Sequence, residues 1–186
     1  MAIDEDTPLN RYAQTVPQSI TPEGLFTRLS DHLTGMSHFL AAIPEDKAGF
    51  AYAPEKWTVR QLIGHIWVSQ RVFVTRAVAI ARGETQSLPG YDENLYAQGW
   101  PGTDVTLEEL TAAYMAEAKA TQIWLLMLEE DDLTREGVAN GKTVRPEQIL
   151  RALIGHESHH RKILIERYGI SEVDEVEEAD QEEKSA

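Results

Sequence analysis

The stretch PEQILRALIGHESHHRKILIERYG, residues 146–169, determines how the rest of the chain is interpreted. Its apolar and histidine positions repeat in steps of four and three residues, the spacing of a helix that presents one seam to a bundle. Pro146 suits a first helical position, and Gly169 suits the residue after the last turn. The seam consists of Ile149, Leu153, His156, His160 and Ile163. The sequence therefore predicts a bundle helix over 146–168 with two histidines one turn apart on its inner face.

Three further stretches carry helix signals of the same kind. The first predicted helix runs over 21–42, the second over 58–82 and the third over 106–130. Each begins at a threonine that can cap it, and in the second and third a glutamine or glutamate three residues later completes a capping box. Apolar stripes with helical spacing follow the caps of the first two.

These four helices, with sparse strand signals and no βαβ rhythm, predict an all-α fold and specifically a four-helix bundle. The connection between the second and third helices, residues 84–105, is unusually long. We expect its segment DENLYAQ, residues 92–98, to form a short helix and the whole connection to cover one end of the bundle. The pair Asn140-Gly141 within residues 137–145 predicts one short β-hairpin before the fourth helix.

Composition divides the chain into three segments and restricts its partners. We expect an N-terminal extension over 1–19, the bundle over 20–170 and a disordered acidic tail over 171–186, which holds half of the net charge of -14. The negative charge argues against nucleic acid and anionic membranes as partners. No apolar run approaches the roughly 20 residues of a membrane span. The acidic start differs from a secretory signal, so we expect a soluble, cytoplasmic protein.

Histidines carry the functional hypothesis. His156 and His160 lie four residues apart, so both imidazoles project from one helix face and can bind the same metal ion. His65 lies on the apolar stripe of the second predicted helix, and a chain without cysteine must build a transition-metal site from histidines and carboxylates. Three imidazoles leave one coordination position open for chemistry. The alternative is that they are core histidines. We favour the metal site because a metal satisfies one nitrogen of each buried ring.

Neighbouring residues are assigned roles from their positions. His159 falls off the seam, which favours a place outside the ligand set or facing solvent, with coordination in place of His160 as the alternative. Asp92 in the long connection is the candidate catalytic residue, since it could orient a ligand imidazole or take a proton; the equal alternative is a turn residue. Glu157, one step off the seam, is expected at the surface. Two histidines without a spaced partner are predicted to be structural, namely His32 and His38.

Residues 156–160 also match H-E-x-x-H, the metalloprotease pattern in which the glutamate is the general base. The extended form of that pattern requires glycine at position 163 and histidine at position 166, where this chain has Ile163 and Glu166. Such proteases also need a substrate-binding sheet, which the strand signals do not supply. We therefore interpret the five-residue match as a coincidence.

Three motifs resemble the DinB/YfiT-like superfamily: PEKWTVRQLIGHI (54–66), LPGYDENLY (88–96) and HESHHRKIL (156–164). The first resembles the family's tryptophan, helix start and ligand histidine, and the last resembles its terminal H-x-x-H-H helix motif. The resemblance implies a four-helix bundle with a metal site at the matching positions His65, His156 and His160. It also implies a homodimer and one divalent metal, which in this family is zinc, nickel, iron or manganese. Characterised relatives include thiol transferases and isomerases that use low-molecular-weight thiols.

We therefore expect an enzyme in which a histidine-bound metal activates a thiol or a water molecule, for S-transfer to a small molecule or for its hydrolysis. A chain without cysteine would need a low-molecular-weight thiol as cosubstrate for the first reaction. The alternative from another class is a non-catalytic metal-binding or stress-associated interaction module, whose metal holds the bundle together. A third interpretation is a metal-free helical dimer. The sequence leaves these alternatives open.

Overall fold

The computed structural model describes residues 7–172, in which four long helices are joined and flanked by shorter elements. The long helices are α2 (Pro22–Ala41), α3 (Val59–Ala81), α5 (Leu107–Leu125) and α7 (Pro146–Tyr168). The shorter elements are α1 (Pro8–Ala13), a 3-10 turn (Glu45–Lys47), α4 (Glu93–Ala97), α6 (Glu130–Thr134), β1 (Gly137–Ala139) and β2 (Lys142–Val144). The predicted all-α four-helix bundle with one short hairpin is confirmed. Among the described helices, none is long and apolar enough to cross a membrane.

Side-chain caps determine where the long helices begin. The Thr58 hydroxyl accepts the backbone N–H of Gln61, whose side-chain oxygen accepts the backbone N–H of Thr58. Thr106 and Glu109 make the same reciprocal pair before α5. The hydroxyl of Thr21 accepts a backbone N–H three residues further on, at the start of α2. Because each cap satisfies N–H groups that the helix itself leaves unpaired, the starts were predictable from local sequence.

The third predicted helix ends at Leu125, five residues before the predicted boundary at residue 130. A separate short helix, α6, follows, and the backbone N–H of Glu129 donates to the Asp132 carboxylate at its start (3.1 Å). Acidic side chains stabilise the first turn of a helix and destabilise the last turn, because of the helix dipole. The acidic run over 129–132 therefore begins a new helix instead of extending α5.

The four long helices pack in a ring, with α2 beside α5, α5 beside α3, α3 beside α7, and α7 beside α2. One continuous apolar cluster fills the space between them. Helix α7 also packs against α1 and α6, and residues 149–157 are all buried. Even positions off the predicted seam of α7 are therefore inside the protein, including the nearly fully buried Arg151.

The N-terminal segment is attached to α7 by hydrogen bonds and by close backbone packing. The Arg151 guanidinium donates to the carbonyl oxygens of Pro17 (2.7 Å) and Ile20 (3.1 Å) and to a carboxylate of its own helix. Helix α1 approaches α7 at Gly155, where a Cβ atom would overlap the carbonyl oxygen of Tyr12. Described residues of the predicted extension thus lie directly on α7. The predicted acidic tail lies outside the described residues from position 173 onward.

The hairpin holds the long connection in place. Asn140 and Gly141 both have positive φ angles, 52° and 73°, as the tight turn between β1 and β2 requires. Leu88 from the long connection lies beside β1, where its N–H donates to the Val138 carbonyl (2.8 Å) and its carbonyl accepts the N–H of Asn140 (2.9 Å). The connection therefore continues the hairpin before it crosses the end of the bundle.

Replacing Gly155 with alanine should lower the free energy of unfolding by about 1–3 kcal/mol, because the new methyl group displaces α1 from α7. Gly35→Ala is the matched control, since nothing lies within 4 Å of its Cβ position. Alanine in a helix interior is favoured over glycine by roughly 0.5–1 kcal/mol, so this control should be slightly stabilised. Urea unfolding followed by circular dichroism measures both changes. A Gly155→Ala variant as stable as the wild type would contradict the close packing of α1.

Candidate metal centre

Three imidazoles meet between α3 and α7. The Nε2 atom of His65 lies 3.1 Å from that of His156 and 3.2 Å from that of His160, and the last two atoms are 3.1 Å apart. All three residues are buried, with exposed fractions of 7%, 5% and 8%. The structure thus brings together the three residues predicted as ligands, with their Nε2 atoms at the corners of a nearly equilateral triangle.

Hydrogen bonds alone cannot satisfy this triangle. The Nε2 atom of a neutral imidazole is either a donor or an acceptor, so three such atoms always include at least one pair of the same kind. Three lone pairs that point at one cation remove the conflict. Ligand nitrogens around a tetrahedral zinc ion are roughly 3.3 Å apart, given bonds of about 2.0–2.1 Å. The separations and the donor type therefore fit a divalent transition metal.

Burial keeps the three rings in the neutral form that binds metals. Desolvation lowers the pKa of His65 to about 4. Desolvation, followed by the neighbouring histidines, lowers the pKa of His160 to about 3 and holds the pKa of His156 well below its ordinary value. All three rings are therefore neutral at neutral pH, and each carries one N–H. When that proton is on Nδ1, the Nε2 lone pair is free, and a metal ion that binds there displaces no proton.

Aromatic side chains enclose the three histidines and account for their desolvation. The Trp57 ring lies 4.8 Å from the His65 ring, measured between centroids. The rings of Tyr12 and Phe73 meet His156 edge-on at 5.3 and 5.5 Å. Trp57 lies directly before the cap of α3, packs against the apolar core and contacts a candidate ligand. Tyr12 reaches the site from α1, which sequence patterns alone did not indicate.

Asp92 makes its contacts away from the histidine triangle, whereas the ring of His159 meets that of His160 edge-on at 5.1 Å. One carboxylate oxygen of Asp92 accepts the backbone N–H groups of Asn94 (3.0 Å) and Leu95 (3.1 Å), so Asp92 caps α4. This is the turn-residue alternative considered for Asp92, and its catalytic role stays a prediction. His159 is exposed and packs beside Tyr12, with 5.6 Å between ring centroids, in agreement with its predicted solvent-facing position.

Glu157 is fully buried, so the prediction that it lies at the surface is wrong. Its Oε2 atom accepts a hydrogen bond from the Tyr114 hydroxyl of α5 (2.8 Å) and lies 3.0 Å from the His32 Nε2 atom of α2. The prediction failed because residues 149–157 of α7 are enclosed on every side, as the nearly unbroken apolar run ILRALIG, residues 149–155, could have indicated. His32, predicted to be structural, is a partner in this buried cluster.

The position of Glu157 also bears on the H-E-x-x-H match. A general base must come within hydrogen-bond reach of the proton that it takes from a substrate or water. The Glu157 carboxylate is instead engaged with α2 and α5, and burial beside it raises the pKa of Tyr114 well above the ordinary value. This geometry supports the interpretation of the match as a coincidence.

The long connection covers the site from one side. Tyr91, Glu93, Tyr96 and Trp100 surround a cavity of about 10 Å³ beside His65, which is the size of a single water molecule. Pro101 follows this aromatic group and packs so closely on α3 that a Cβ at position 64 would lie 2.6 Å from its ring. The connection is therefore a packed lid, as its aromatic composition indicated.

A second and larger cavity reaches one of the three histidines, His156. It has a volume of about 290 Å³ and lies between α1, α3 and the hairpin, with His156 in its wall. Tyr91 lines both cavities. The larger cavity is close to the lower end of the size range for small-molecule sites. The centre therefore combines a metal-suited donor set with space for a small organic molecule.

The metal-free protein should lose stability in acid. Above the unfolded-state histidine pKa of about 6.5, the three rings are neutral in both the folded and the unfolded state, so protonation does not lower the stability. As pH falls toward the folded-state values of about 4 for His65 and about 3 for His160, only the unfolded chain takes up protons. The free energy of unfolding should then fall by up to about 1.4 kcal/mol per pH unit for each ring.

Urea titrations of chelator-treated protein across this pH window measure the effect. Replacing a buried ring, as in His156→Gln, should reduce the pH dependence. His38→Gln is the matched control, since His38 is exposed on α2 and should leave the dependence unchanged. A stability that stays constant as pH falls from 6.5 toward 4 would contradict the neutral buried rings.

Comparison with known proteins agrees with this architecture. A solved structure, YfiT from Bacillus subtilis, is described as a probable metal-dependent hydrolase with an unusual four-helix bundle topology. It aligns with a TM-score of 0.70 and 18% sequence identity, over 84% of this chain and 94% of that chain, a likeness that shows the shared fold. A comparison with curated protein sequences found no significant match. The family model of the DinB superfamily matches residues 28–164, which include all three histidines, and this chain belongs to the DinB superfamily.

Proposed function

We propose that this protein is a metal-dependent enzyme that acts on a small molecule, with one divalent transition metal held by His65, His156 and His160. The observation that carries the proposal is the convergence of three buried, neutral Nε2 atoms that cannot satisfy one another. A cation at such a site acts as a Lewis acid and lowers the pKa of a water molecule or thiol that binds it. Three protein ligands leave a coordination position for that molecule.

The surrounding residues have their own tasks in this proposal. Trp57, Tyr12 and Phe73 fix the orientation of the imidazole rings by packing against them. The lid excludes bulk water, which strengthens electrostatic interactions with a bound substrate. Tyr91 lies in the wall of both cavities, and its hydroxyl is held 2.8 Å from the Ser69 hydroxyl. We expect Tyr91 to contact the substrate.

Hydrolysis is the first reaction to test, since YfiT, which shares this fold, is described as a probable metal-dependent hydrolase. S-transfer with a low-molecular-weight thiol is the second, and it follows from the activities of characterised relatives of the family. In the hydrolysis the nucleophile would be water, and in S-transfer the thiol would come from outside the chain, because the sequence has no cysteine. The homodimer, the cytoplasmic location, the absence of nucleic-acid binding and the choice among zinc, nickel, iron and manganese stay predictions.

The packing favours a functional metal over a purely structural one. The apolar core is continuous across all four long helices and does not depend on the histidine cluster for its contacts. Removal of a metal would therefore leave most of the buried apolar area in place. In the alternative, an interaction module held together by its metal, the bundle would unfold when the metal is removed.

Untagged protein should contain about one transition metal per chain, measured by inductively coupled plasma mass spectrometry after incubation with zinc, nickel, iron or manganese. His65→Ala should lose most of this metal, because two of the three ligands remain and both come from the same helix turn. His38→Ala should retain it, since His38 lies exposed on α2 outside the cluster. A wild-type protein that takes up none of these metals would exclude the proposed mechanism.

Metal-loaded wild type should turn over a substrate in a panel of small esters and amides, or in a panel that pairs low-molecular-weight thiols with electrophiles. The metal-free protein and His65→Ala should be inactive in the same assays, with rates reduced by at least about 100-fold. Circular dichroism of the chelated protein is the parallel measurement, and cooperative thermal unfolding of that sample is expected. Loss of the fold on chelation, with no turnover in either panel, would favour the interaction module.

A further inference from the structure

The cavity of about 290 Å³ has a mixed wall that suits an amphipathic ligand. Aromatic rings come from α1, α3 and the lid, while the turn of the hairpin contributes polar groups. The aromatic members are Tyr12, Phe73 and Tyr91, and the polar members include Asn140 and Thr143. A ligand with a flat apolar body and a small number of polar atoms matches such a wall.

Arg76 supplies a positive charge to this wall. Among the described residues, no carboxylate lies within ion-pairing distance of its guanidinium, whereas Arg71 on the same helix pairs with Glu117 at 3.4 Å. Arg82, the residue directly after α3, approaches Asp132 at 3.8 Å. Arg76 is half-buried, and burial lowers its pKa from the ordinary arginine value. A half-buried guanidinium without a counter-charge in the described chain is a site for an anion.

The guanidinium is already held in position. One of its N–H groups donates to the Pro89 carbonyl oxygen at 2.7 Å, and its carbon lies 6.0 Å from the centre of the Tyr91 ring. A guanidinium has five N–H donors, and the described residues give it this one hydrogen-bond acceptor. Donors therefore remain for a ligand, and little side-chain freedom is left to lose when the ligand binds.

The other charged groups of the cavity restrict the ligand to a single negative charge. Glu93 also lines the wall and disfavours a dianion. Lys142 lines it as well, but has an interaction of its own within the chain. One guanidinium matches one carboxylate, whose two oxygens can accept parallel N–H groups from it.

We propose that this cavity binds a small organic carboxylate, with Arg76 as the residue that binds its carboxylate group and the aromatic rings packing on its apolar body. The proposal rests on the proposed function in one respect, namely that this cavity is the substrate site of the metal centre. His156, which is both a wall residue and a candidate ligand, joins the two. The substrate class is thus a monocarboxylate whose reactive group lies away from its carboxylate.

Benzoate and benzamide are suitable probes, since they have nearly the same shape and differ in charge. Their binding to the full-length protein is measured by NMR chemical-shift titration, both as purified and after chelation, so that direct coordination to a metal is separated from binding to Arg76. We expect benzoate to bind at least about ten-fold more tightly than benzamide in the chelated protein. Arg76→Gln should remove this preference, and Arg76→Lys should keep a weaker one.

Arg71→Gln is the matched control, because Arg71 lies on the same helix, pairs with Glu117 and is not in the cavity wall. It should bind both probes as the wild type does. Equal affinities of benzoate and benzamide for the chelated wild type, or an undiminished preference in Arg76→Gln, would overturn the proposal. If Arg76→Gln fails to fold, the proposal is still tested by the relative affinities of benzoate and benzamide for the chelated wild type and for Arg76→Lys. Failure of the metal proposal appears separately, as absence of metal with the benzoate preference intact.

Discussion

Three buried nitrogen atoms that cannot form a closed set of hydrogen bonds are the constraint on which the rest of the site depends. The Nε2 atoms of His65, His156 and His160 lie 3.1–3.2 Å apart, and any assignment of protons leaves a like pair in contact. Such an arrangement persists in a folded chain only if the surrounding structure compensates for it. Here the compensation comes from aromatic rings packed against His65 and His156 and from the continuous apolar core of the bundle.

Helix α7 makes this compensation possible because residues 149–157 are buried among the elements that pack against it. Its polar residues are engaged with different parts of the protein: Arg151 bonds to the N-terminal segment, and Glu157 bonds to α2 and α5. Helix α5 lies diagonally across the ring from α7, so the Tyr114–Glu157 hydrogen bond crosses the centre of the bundle. These contacts on several sides fix the rotation and the axial position of the helix that carries His156 and His160.

Local chemistry explains what could be predicted from the sequence. The caps at Thr58 and Thr106 depend on residues three positions away, and the pair His156 and His160 depends on one helical turn. The hairpin depends on the two residues of its turn. Each of these interactions joins residues that are close together in the sequence, so the local sequence contains the whole pattern that predicts it.

Long-range contacts explain what could not be predicted. Glu157 is buried because α2 and α5 cover the side of α7 that a single seam leaves open, and only the apolar run over 149–155 hints at this. Tyr12 reaches His156 only because Gly155 lets α1 approach α7. Arg76 lines a cavity because the hairpin and the lid meet above α3. Each depends on how elements far apart in sequence come together.

The separation of the three histidines along the chain also governs when the site can first exist. His65 and His156 are 91 residues apart, and α7, which carries two of the three rings, is the last described helix to leave the ribosome. A nascent chain that has completed α5 has one of the three rings and no surface for α1 to pack on. The set of three imidazoles therefore exists only in a chain that includes α7, and premature termination before α7 leaves an exposed apolar groove along α3 that chaperones or proteases would recognise.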